Sequence, residues 1–266
     1  MVLTGMAQDS HALLETYLRA LNLPMFLQLY QSYAQDAARS GLSFERFLLA
    51  LCEAEVADRE AKRIDSAIRR AKFPFLKEIT DYDFTAIENI SKTTFLELAQ
   101  GGYMSGAQNL ILVGNPCLGK THLAIGLALA ACRQGKRVRF YKTATLINDL
   151  QVAQKKLTLS SFVARFVKLD LLVLDELGFI AVDKAGGQLL FQLVSDLYEQ
   201  VSIIITSNLR FGDWNSIFAD ATLTTAFLDR LTHKGRIIEF VGESYRYHHR
   251  LQQDEAQGAW AMALHC

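Results

Sequence analysis

Five short apolar runs, separated by longer stretches with helical periodicity, constrain the fold of this chain more than any other feature. A continuous apolar run between helices is typical of a strand in a parallel sheet that is covered on both faces. The runs are NLILVG (109–114), RVRFY (137–141), DLLVLD (170–175), VSIIIT (201–206) and RIIEFV (236–241). They predict an α/β domain with a five-stranded parallel sheet in a three-layer sandwich.

Residues 10–72, before this domain, show helical periodicity and no strand pattern. Ser10 is a candidate helix N-cap, Pro24 suits the first turn of a second helix, and Ser43 can cap a third. Pro74 should end the third helix, because proline cannot continue a helix. We therefore expect a small all-α N-terminal domain. The predicted divisions are 1–78 for this domain, 79–107 for a connector, 108–250 for the α/β domain and 251–266 for a tail.

The sequence GNPCLGKT (114–121) joins the first predicted strand to a helix and fits the phosphate-loop pattern G-x-x-x-x-G-K-[ST]. In such a loop, backbone N–H groups and the helix N-terminus face the phosphates of a nucleotide. Lys120 would reach the β- and γ-phosphates, and the Thr121 hydroxyl would ligate Mg²⁺. The residues expected at the nucleotide are Gly114, Asn115, Pro116, Cys117, Leu118, Gly119, Lys120, Thr121 and His122.

Cys117 is an unusual residue for the middle of this loop. Many phosphate loops carry glycine there, which permits a left-handed backbone close to the phosphate. Cysteine in a left-handed conformation costs about 1–2 kcal/mol. We therefore predict nucleotide binding that is weakened but not abolished.

Two acids follow the third apolar run, in the sequence LLVLDE (171–176). Ligands of open parallel sheets bind at the carboxyl ends of the strands, where Asp175 and Glu176 would emerge. Asp175 would hold Mg²⁺ and Glu176 would orient the attacking water. The alternative is an ordinary strand end that happens to carry acids. The phosphate loop favours the catalytic interpretation, because phosphoryl transfer needs both the metal and the oriented water.

Two further polar residues are candidates for the same chemistry. Asn208 follows the fourth apolar run and could hydrogen-bond the attacking water or the γ-phosphate, although asparagine is also ordinary in a turn. Arg230 lies at the end of a mostly apolar helix. It is either a surface arginine or an arginine finger that reaches the nucleotide of a neighbouring subunit.

The composition limits the classes of partner. Lys plus Arg equals Asp plus Glu, so any contact with nucleic acid must come from local basic patches. The four cysteines form no C-x-x-C pair, and the longest apolar run is too short to span a bilayer. These features predict a soluble cytoplasmic protein without a membrane partner.

The third predicted helix is apolar in its first half and basic in its second. One interpretation is a solvated helix face with ion pairs four residues apart. The other is a patch that contacts phosphates. The charge pattern alone leaves both open and favours the first.

Several longer stretches resemble the AAA+ ATPases. They are GKTHLAIGLALAAC, DLLVLDELGF, LLFQLVSDLYEQVSIIITSNLRFGDWNSIF, LDRLTHKGRIIEFVGESYR, LSFERFLLALCEAEVADRE and RRAKFP. The closer resemblance is to IstB-like proteins, the ATP-dependent helpers of insertion-sequence transposases, and to the related DnaC-type helicase loaders. The resemblance implies ATP and Mg²⁺ as cofactors and a homo-oligomer in which Arg230 acts in trans. It also implies that Arg246 makes a second basic contact to nucleotide or DNA.

In this clade a helical insert faces DNA, and it corresponds here to residues 146–166. The implied phosphate contacts are Lys155, Lys156, Arg165 and Lys168. The resemblance thus implies an ATPase that assembles on duplex DNA and assists a transposase. Two alternatives remain at this point: a loader for a replicative helicase, and an ATP-binding scaffold without turnover. Intact Lys120, Asp175 and Glu176 argue against the scaffold, and only Cys117 argues for it.

Overall fold

The computed structural model describes residues 2–87, 89–179, 182–218 and 220–242. Ten α-helices and five β-strands lie in these ranges. The helices are α1 (Val2–Ala20), α2 (Pro24–Ser40), α3 (Phe44–Ala71), α4 (Lys92–Ala99), α5 (Gly102–Ser105), α6 (Lys120–Arg133), α7 (Thr143–Lys155), α8 (Leu159–Val163), α9 (Lys184–Leu197) and α10 (Ala221–Thr232). The strands are β1 (Asn109–Gly114), β2 (Val138–Lys142), β3 (Leu171–Leu177), β4 (Ser202–Ser207) and β5 (Gly235–Phe240).

The chain forms two compact units, Met1–Ser66 and Ala67–Cys266. The division falls inside α3, whereas we expected the helical domain to extend to residue 78. The last turns of α3 belong to the second unit because Ala67 and Ala71 are buried in its core.

The first unit contains α1, α2 and most of α3 around a small core of Leu18, Tyr30 and Leu51. Pro24 is the first residue of α2, as predicted, and the backbone N–H of Arg46 bonds the Ser43 hydroxyl at the start of α3. The prediction that Ser10 begins a helix is wrong, since α1 already starts at Val2. No proline precedes Ser10, so the helix continues through residues 2–9 although Val2, Thr4, Gly5 and Asp9 are poor helix formers.

The basic half of α3 contains several ion pairs within the helix. Arg59 pairs with Glu55, Lys62 with Asp58 and Arg63 with Glu60, at distances of 2.6–2.8 Å. Each pair joins residues three or four positions apart, as expected on a solvated helix face. The pairs therefore favour the first interpretation of this stretch for Arg59, Lys62 and Arg63.

The second unit contains a parallel five-stranded sheet in the order β2-β3-β4-β1-β5. Each strand lies within two residues of its predicted position. Successive residues of a strand point to opposite faces. Leu110 and Leu112 of β1 accordingly lie in one core, with α4 and α6, whereas Ile111 and Val113 lie in the other, with α7, α9 and α10. The predicted three-layer α/β sandwich is confirmed.

Every helix in the described part of the chain is too short or too polar to span a membrane.

Candidate functional site

The predicted phosphate loop connects β1 to α6, as expected. Gly114 and Gly119 have φ angles of 138° and 77°, which are unfavourable for residues with a Cβ. A Cβ on Gly114 would collide with the Phe240 carbonyl oxygen, and one on Gly119 would collide with the Tyr82 ring. Both glycines are therefore required by the local packing as well as by the backbone.

Cys117 adopts a left-handed backbone with φ 65°. The loop thus keeps the conformation that glycine would favour, at a cost of about 1–2 kcal/mol. The Cys117 side chain is half-buried and lines the same cavity as Lys120. Strain of this kind persists where the surrounding structure fixes the backbone, and it is common at functional sites.

Leu118, the residue after Cys117, anchors the phosphate loop to the core. Its side chain is only 2% exposed. Its carbonyl oxygen accepts a 2.6 Å hydrogen bond from the Tyr82 hydroxyl. Tyr82 also stacks edge-on against His122, whose Nε2 lies 2.7 Å from the Glu78 carbonyl oxygen. Residues 78–82, in the segment before α4, therefore contact the phosphate loop and the first turn of α6 at three points.

Lys120 is the first residue of α6 and is 5% exposed. Its ammonium group donates to the carbonyl oxygens of Gly114 at 2.7 Å and Asn115 at 2.6 Å. Burial lowers the pKa of Lys120 to about 8, although the nearby Cys117 and Asp175 oppose that shift. A buried ammonium group that is held by two carbonyls can turn to stronger anionic acceptors.

Thr121 and Asp175 meet at the carboxyl edge of the sheet. The Thr121 hydroxyl donates to Asp175 Oδ1 at 2.7 Å, and the Thr206 hydroxyl donates to the same oxygen at 2.6 Å. Burial raises the pKa of Asp175, and the two hydroxyl hydrogen bonds partly offset this effect. Hydroxyl and carboxylate oxygens are the ligands that Mg²⁺ prefers, so this pair fits the predicted metal site.

Glu176 follows Asp175 and has a left-handed backbone with φ 60°. Its carboxylate lies 3.1 Å from Lys142 Nζ at the end of β2. Both side chains are about half exposed, at 41% for Glu176 and 54% for Lys142. Glu176 is therefore held at the surface of the site and keeps access to water.

A cavity of 560 Å³ adjoins the phosphate loop, and its volume is within the range of about 300–1,000 Å³ typical of ligand pockets. Its lining combines most of the predicted site residues with Thr206 and with residues between 75 and 87, in the segment before α4. The predicted residues that line it are Pro116, Cys117, Leu118, Gly119, Lys120, Thr121, His122, Glu176 and Asn208. Phe75, Tyr82 and Ile87 add aromatic and aliphatic surface to its wall.

Arg230 lies apart from this cavity. It is in the last turn of α10, with its guanidinium 4.5 Å from the centre of the Phe191 ring and 3.2 Å from the Ala226 carbonyl oxygen. The side chain is half-buried. Within one chain, therefore, Arg230 does not complete the site around Lys120.

The four predicted DNA contacts lie on and after α7, and all are exposed: Lys155, Lys156, Arg165 and Lys168. No ion pair involves any of the four among the described residues. α7 begins at Thr143, whose hydroxyl donates to the Asp175 carbonyl oxygen at 2.9 Å. A helix of 13 residues is about 20 Å long. The chain then re-enters the sheet at the start of β3, so these cations lie towards the edge opposite the phosphate loop.

Arg246 and the tail 251–266 lie outside the described residues. Three further residues of the site were not predicted from the sequence: Lys142, Tyr82 and Thr206. Lys142 and Thr206 could have been found, because each is a polar residue at the carboxyl end of an apolar run. Tyr82 precedes the α/β domain and carries no local signal of its contact with the loop.

The fold and the site together define a phosphate-loop nucleotide-binding protein of the AAA+ class. More narrowly, the chain belongs to the family of IstB-like ATP-binding proteins, whose family model matches residues 16–253. It is therefore an ATP-binding AAA+ protein.

Several relatives bear the name of insertion-sequence ATP-binding proteins. One from Sinorhizobium fredii is 38% identical over 91% of this chain and 81% of its own length. That of insertion sequence IS5376 from Geobacillus stearothermophilus is 35% identical, over 91% and 96%. That of IS21 from Pseudomonas aeruginosa is 34% identical, over 88% of each chain.

Solved structures resemble the α/β fold. The DnaC helicase loader aligns with a TM-score of 0.51 and 21% identity over 62% of this chain and 96% of that one. DnaI aligns with a TM-score of 0.54 and 16% identity over 62% and 91%. At these identities the likeness establishes the fold alone.

Proposed function

We propose that this protein is an ATPase that assembles on duplex DNA and assists a transposase in selecting or activating its target. One observation carries the proposal. The Thr121 hydroxyl and the Asp175 carboxylate lie 2.7 Å apart beside a cavity lined by Lys120 and Glu176. This is the set of groups that phosphoryl transfer to water needs. The transposition context comes from the names of the relatives.

The phosphate loop would bind ATP through its backbone N–H groups and the N-terminus of α6. Lys120 would exchange its two carbonyl acceptors for phosphate oxygens, which are stronger acceptors because they are charged. Thr121 and Asp175 would hold Mg²⁺. When bound, the metal ion neutralises charge on the phosphate oxygens.

Glu176 would orient the attacking water and accept its proton. Its carboxylate is partly exposed to the cavity, so a water molecule can reach it. Asn208 lines the same cavity and offers an amide donor for the water or the γ-phosphate. The Lys142 ion pair would have to loosen before Glu176 can take this role.

DNA would bind through the four exposed cations on and after α7. Lysine and arginine contacts to phosphates give affinity with little sequence readout, and the affinity falls as the salt concentration rises. Assembly would bring Arg230 of one subunit to the nucleotide of the next, since Arg230 does not reach the site of its own chain.

The two alternatives have weaker support. A helicase loader is supported by a likeness of fold at 21% identity or less, whereas relatives of 34–38% identity bear insertion-sequence names. A scaffold without turnover would have no need for Glu176 beside the metal residues.

Gel filtration and electrophoretic mobility shifts with duplex DNA test the assembly. We expect a larger species and tighter DNA binding with ATP and Mg²⁺ than with ADP, and neither effect in Lys120→Met. Equal DNA affinity with and without ATP would contradict the proposal. Retention of a replicative helicase, and not of a transposase, on the immobilised ATP-bound protein would favour the loader.

A further inference from the structure

Thr206 is a buried residue of β4 that bonds both acids of the site. Thr206 is only 2% exposed. The hydroxyl donates to Asp175 Oδ1 at 2.6 Å and accepts the backbone N–H of Glu176 at 2.9 Å. A hydroxyl group has one donor and two acceptor lone pairs, so it can make both bonds at once. Valine has nearly the same shape and can make neither.

The pairing of β3 with β4 is interrupted at these two acids. The strands pair regularly from Leu171 opposite Ser202 to Leu174 opposite Ile205, and pairing resumes at Leu177 opposite Ser207. Two residues of β3 thus fall where β4 supplies one, which is the definition of a β-bulge. Bulges next to active sites redirect a side chain, and this one contains Glu176 with its left-handed φ of 60°.

A bulge deprives one backbone N–H of its partner in the ladder. A partly buried N–H that remains unpaired is destabilising, so a strained bulge needs a substitute acceptor. The Thr206 hydroxyl is that acceptor for the N–H of Glu176. Because the same hydroxyl also binds Asp175, the position of the carboxylate and the backbone conformation of Glu176 depend on one group.

We propose that Thr206 is a positioning residue that maintains the bulge and thereby sets Asp175 and Glu176 in their working arrangement. It acts through these two acids, since its hydroxyl is already engaged by both. The expected effect on catalysis rests on the proposed ATPase function. The support of the Glu176 backbone by Thr206 does not depend on whether the protein hydrolyses ATP.

The neighbouring residue Ser207 provides a matched control. It is also buried and on β4, and its hydroxyl also bonds β3, by donating to the Leu177 carbonyl oxygen at 2.8 Å. Its hydroxyl also accepts the backbone N–H of Leu209 at 3.2 Å, and neither of these hydrogen bonds involves Asp175 or Glu176. A general loosening of the β3–β4 pairing would therefore affect Ser207→Ala and Thr206→Val alike, whereas the proposed role separates them.

The test compares Thr206→Val, Thr206→Ser and Ser207→Ala with the wild type in two measurements. Hydrogen exchange on the nucleotide-free protein should show faster exchange of the Glu176 amide in Thr206→Val, by about tenfold or more, and wild-type exchange in Thr206→Ser. In phosphate-release assays kcat should fall by about tenfold or more in Thr206→Val, with KM for ATP within about threefold of the wild type. Thr206→Ser should retain most of the activity. In Ser207→Ala the Glu176 amide should exchange at the wild-type rate.

Unchanged exchange at Glu176 in Thr206→Val would overturn the inference, and so would equal effects of Thr206→Val and Ser207→Ala. If Thr206→Val does not fold, Thr206→Ala removes the same hydroxyl without placing a second methyl group beside Asp175. A wild type without ATP turnover would refute the proposed function, while the exchange measurement would still decide the role of Thr206.

Discussion

Lys142 Nζ lies 3.1 Å from Glu176 Oε2, so the carboxylate proposed to activate water is engaged in an ion pair across the ends of β2 and β3. This pair is partly exposed, and such pairs contribute about 0–1 kcal/mol. It can therefore restrain Glu176 without holding it permanently.

Lys142→Ala should raise the rate of ATP hydrolysis in the absence of DNA by up to about fivefold, because it frees the Glu176 carboxylate. Steady-state phosphate release measures this rate. Lys92→Ala, which removes an exposed lysine at the start of α4, is the control and should have no effect. A lower rate in Lys142→Ala would show that the lysine assists the reaction.

Cys117→Gly should tighten ATP binding, because it removes the left-handed strain and the side chain from the phosphate side of the cavity. The strain of about 1–2 kcal/mol sets an upper limit of about 30-fold on the gain. Cys117→Ala separates the two causes, since alanine removes the thiol but keeps the strain. Titration with a fluorescent ATP analogue measures the affinity. Equal ATP affinities of Cys117→Gly and the wild type would show that the loop does not need glycine at position 117.

Tyr82→Phe should weaken ATP binding by about two- to tenfold. It removes the 2.6 Å hydrogen bond to the Leu118 carbonyl oxygen, and a bond of this kind contributes about 0.5–1.5 kcal/mol. Tyr103→Phe is a matched control, because the buried Tyr103 hydroxyl has no hydrogen-bond partner among the described residues. An affinity loss in Tyr103→Phe equal to that in Tyr82→Phe would contradict the role of the Tyr82 bond.

Arg230→Ala should lose most ATP turnover while each subunit still binds ATP. Arg230 is distant from the cavity of its own chain, so the loss must arise between subunits. Mixing Arg230→Ala with Glu176→Gln should restore part of the activity, because some interfaces then join an intact Glu176 to an intact Arg230. No recovery at any mixing ratio would argue against action in trans.

Replacing Lys155 and Lys156 by Ala should weaken duplex DNA binding for all sequences alike. The slope of log affinity against log salt concentration should fall by about one for each phosphate contact removed. ATP hydrolysis without DNA should stay unchanged, since α7 places these residues about 20 Å from Thr143. An unchanged salt slope would show that the DNA path lies elsewhere.

Local patterns in the sequence were sufficient for the sheet and the phosphate loop. The apolar runs predicted all five strands. The three central strands β1, β3 and β4 are buried along almost their whole length, which requires continuous apolar residues. The loop was recognisable because its glycines and Lys120 are fixed by the chemistry of phosphate binding. The prediction at Ser10 was wrong because a residue type that is common at helix caps can also lie inside a helix.

Local patterns could point to Lys142 and Thr206 as residues at strand ends, but they could not predict the partners that these residues or Tyr82 contact. Tyr82 is 36 residues from Leu118, Thr206 is 31 from Asp175, and Lys142 is 34 from Glu176. Each pair is brought together by the order of the strands or by the path of the segment before α4. The bulge at Glu176 was also unpredictable, because it depends on the pairing of β3 with β4.

The central claim is that Glu176 directs water to ATP held by the phosphate loop. The most direct test measures phosphate release and ATP binding for the wild type and Glu176→Gln, with Mg²⁺ and duplex DNA present. We predict that Glu176→Gln binds ATP as tightly as the wild type, within about threefold, and loses at least about 100-fold in turnover. Equal turnover in the two proteins would contradict the account.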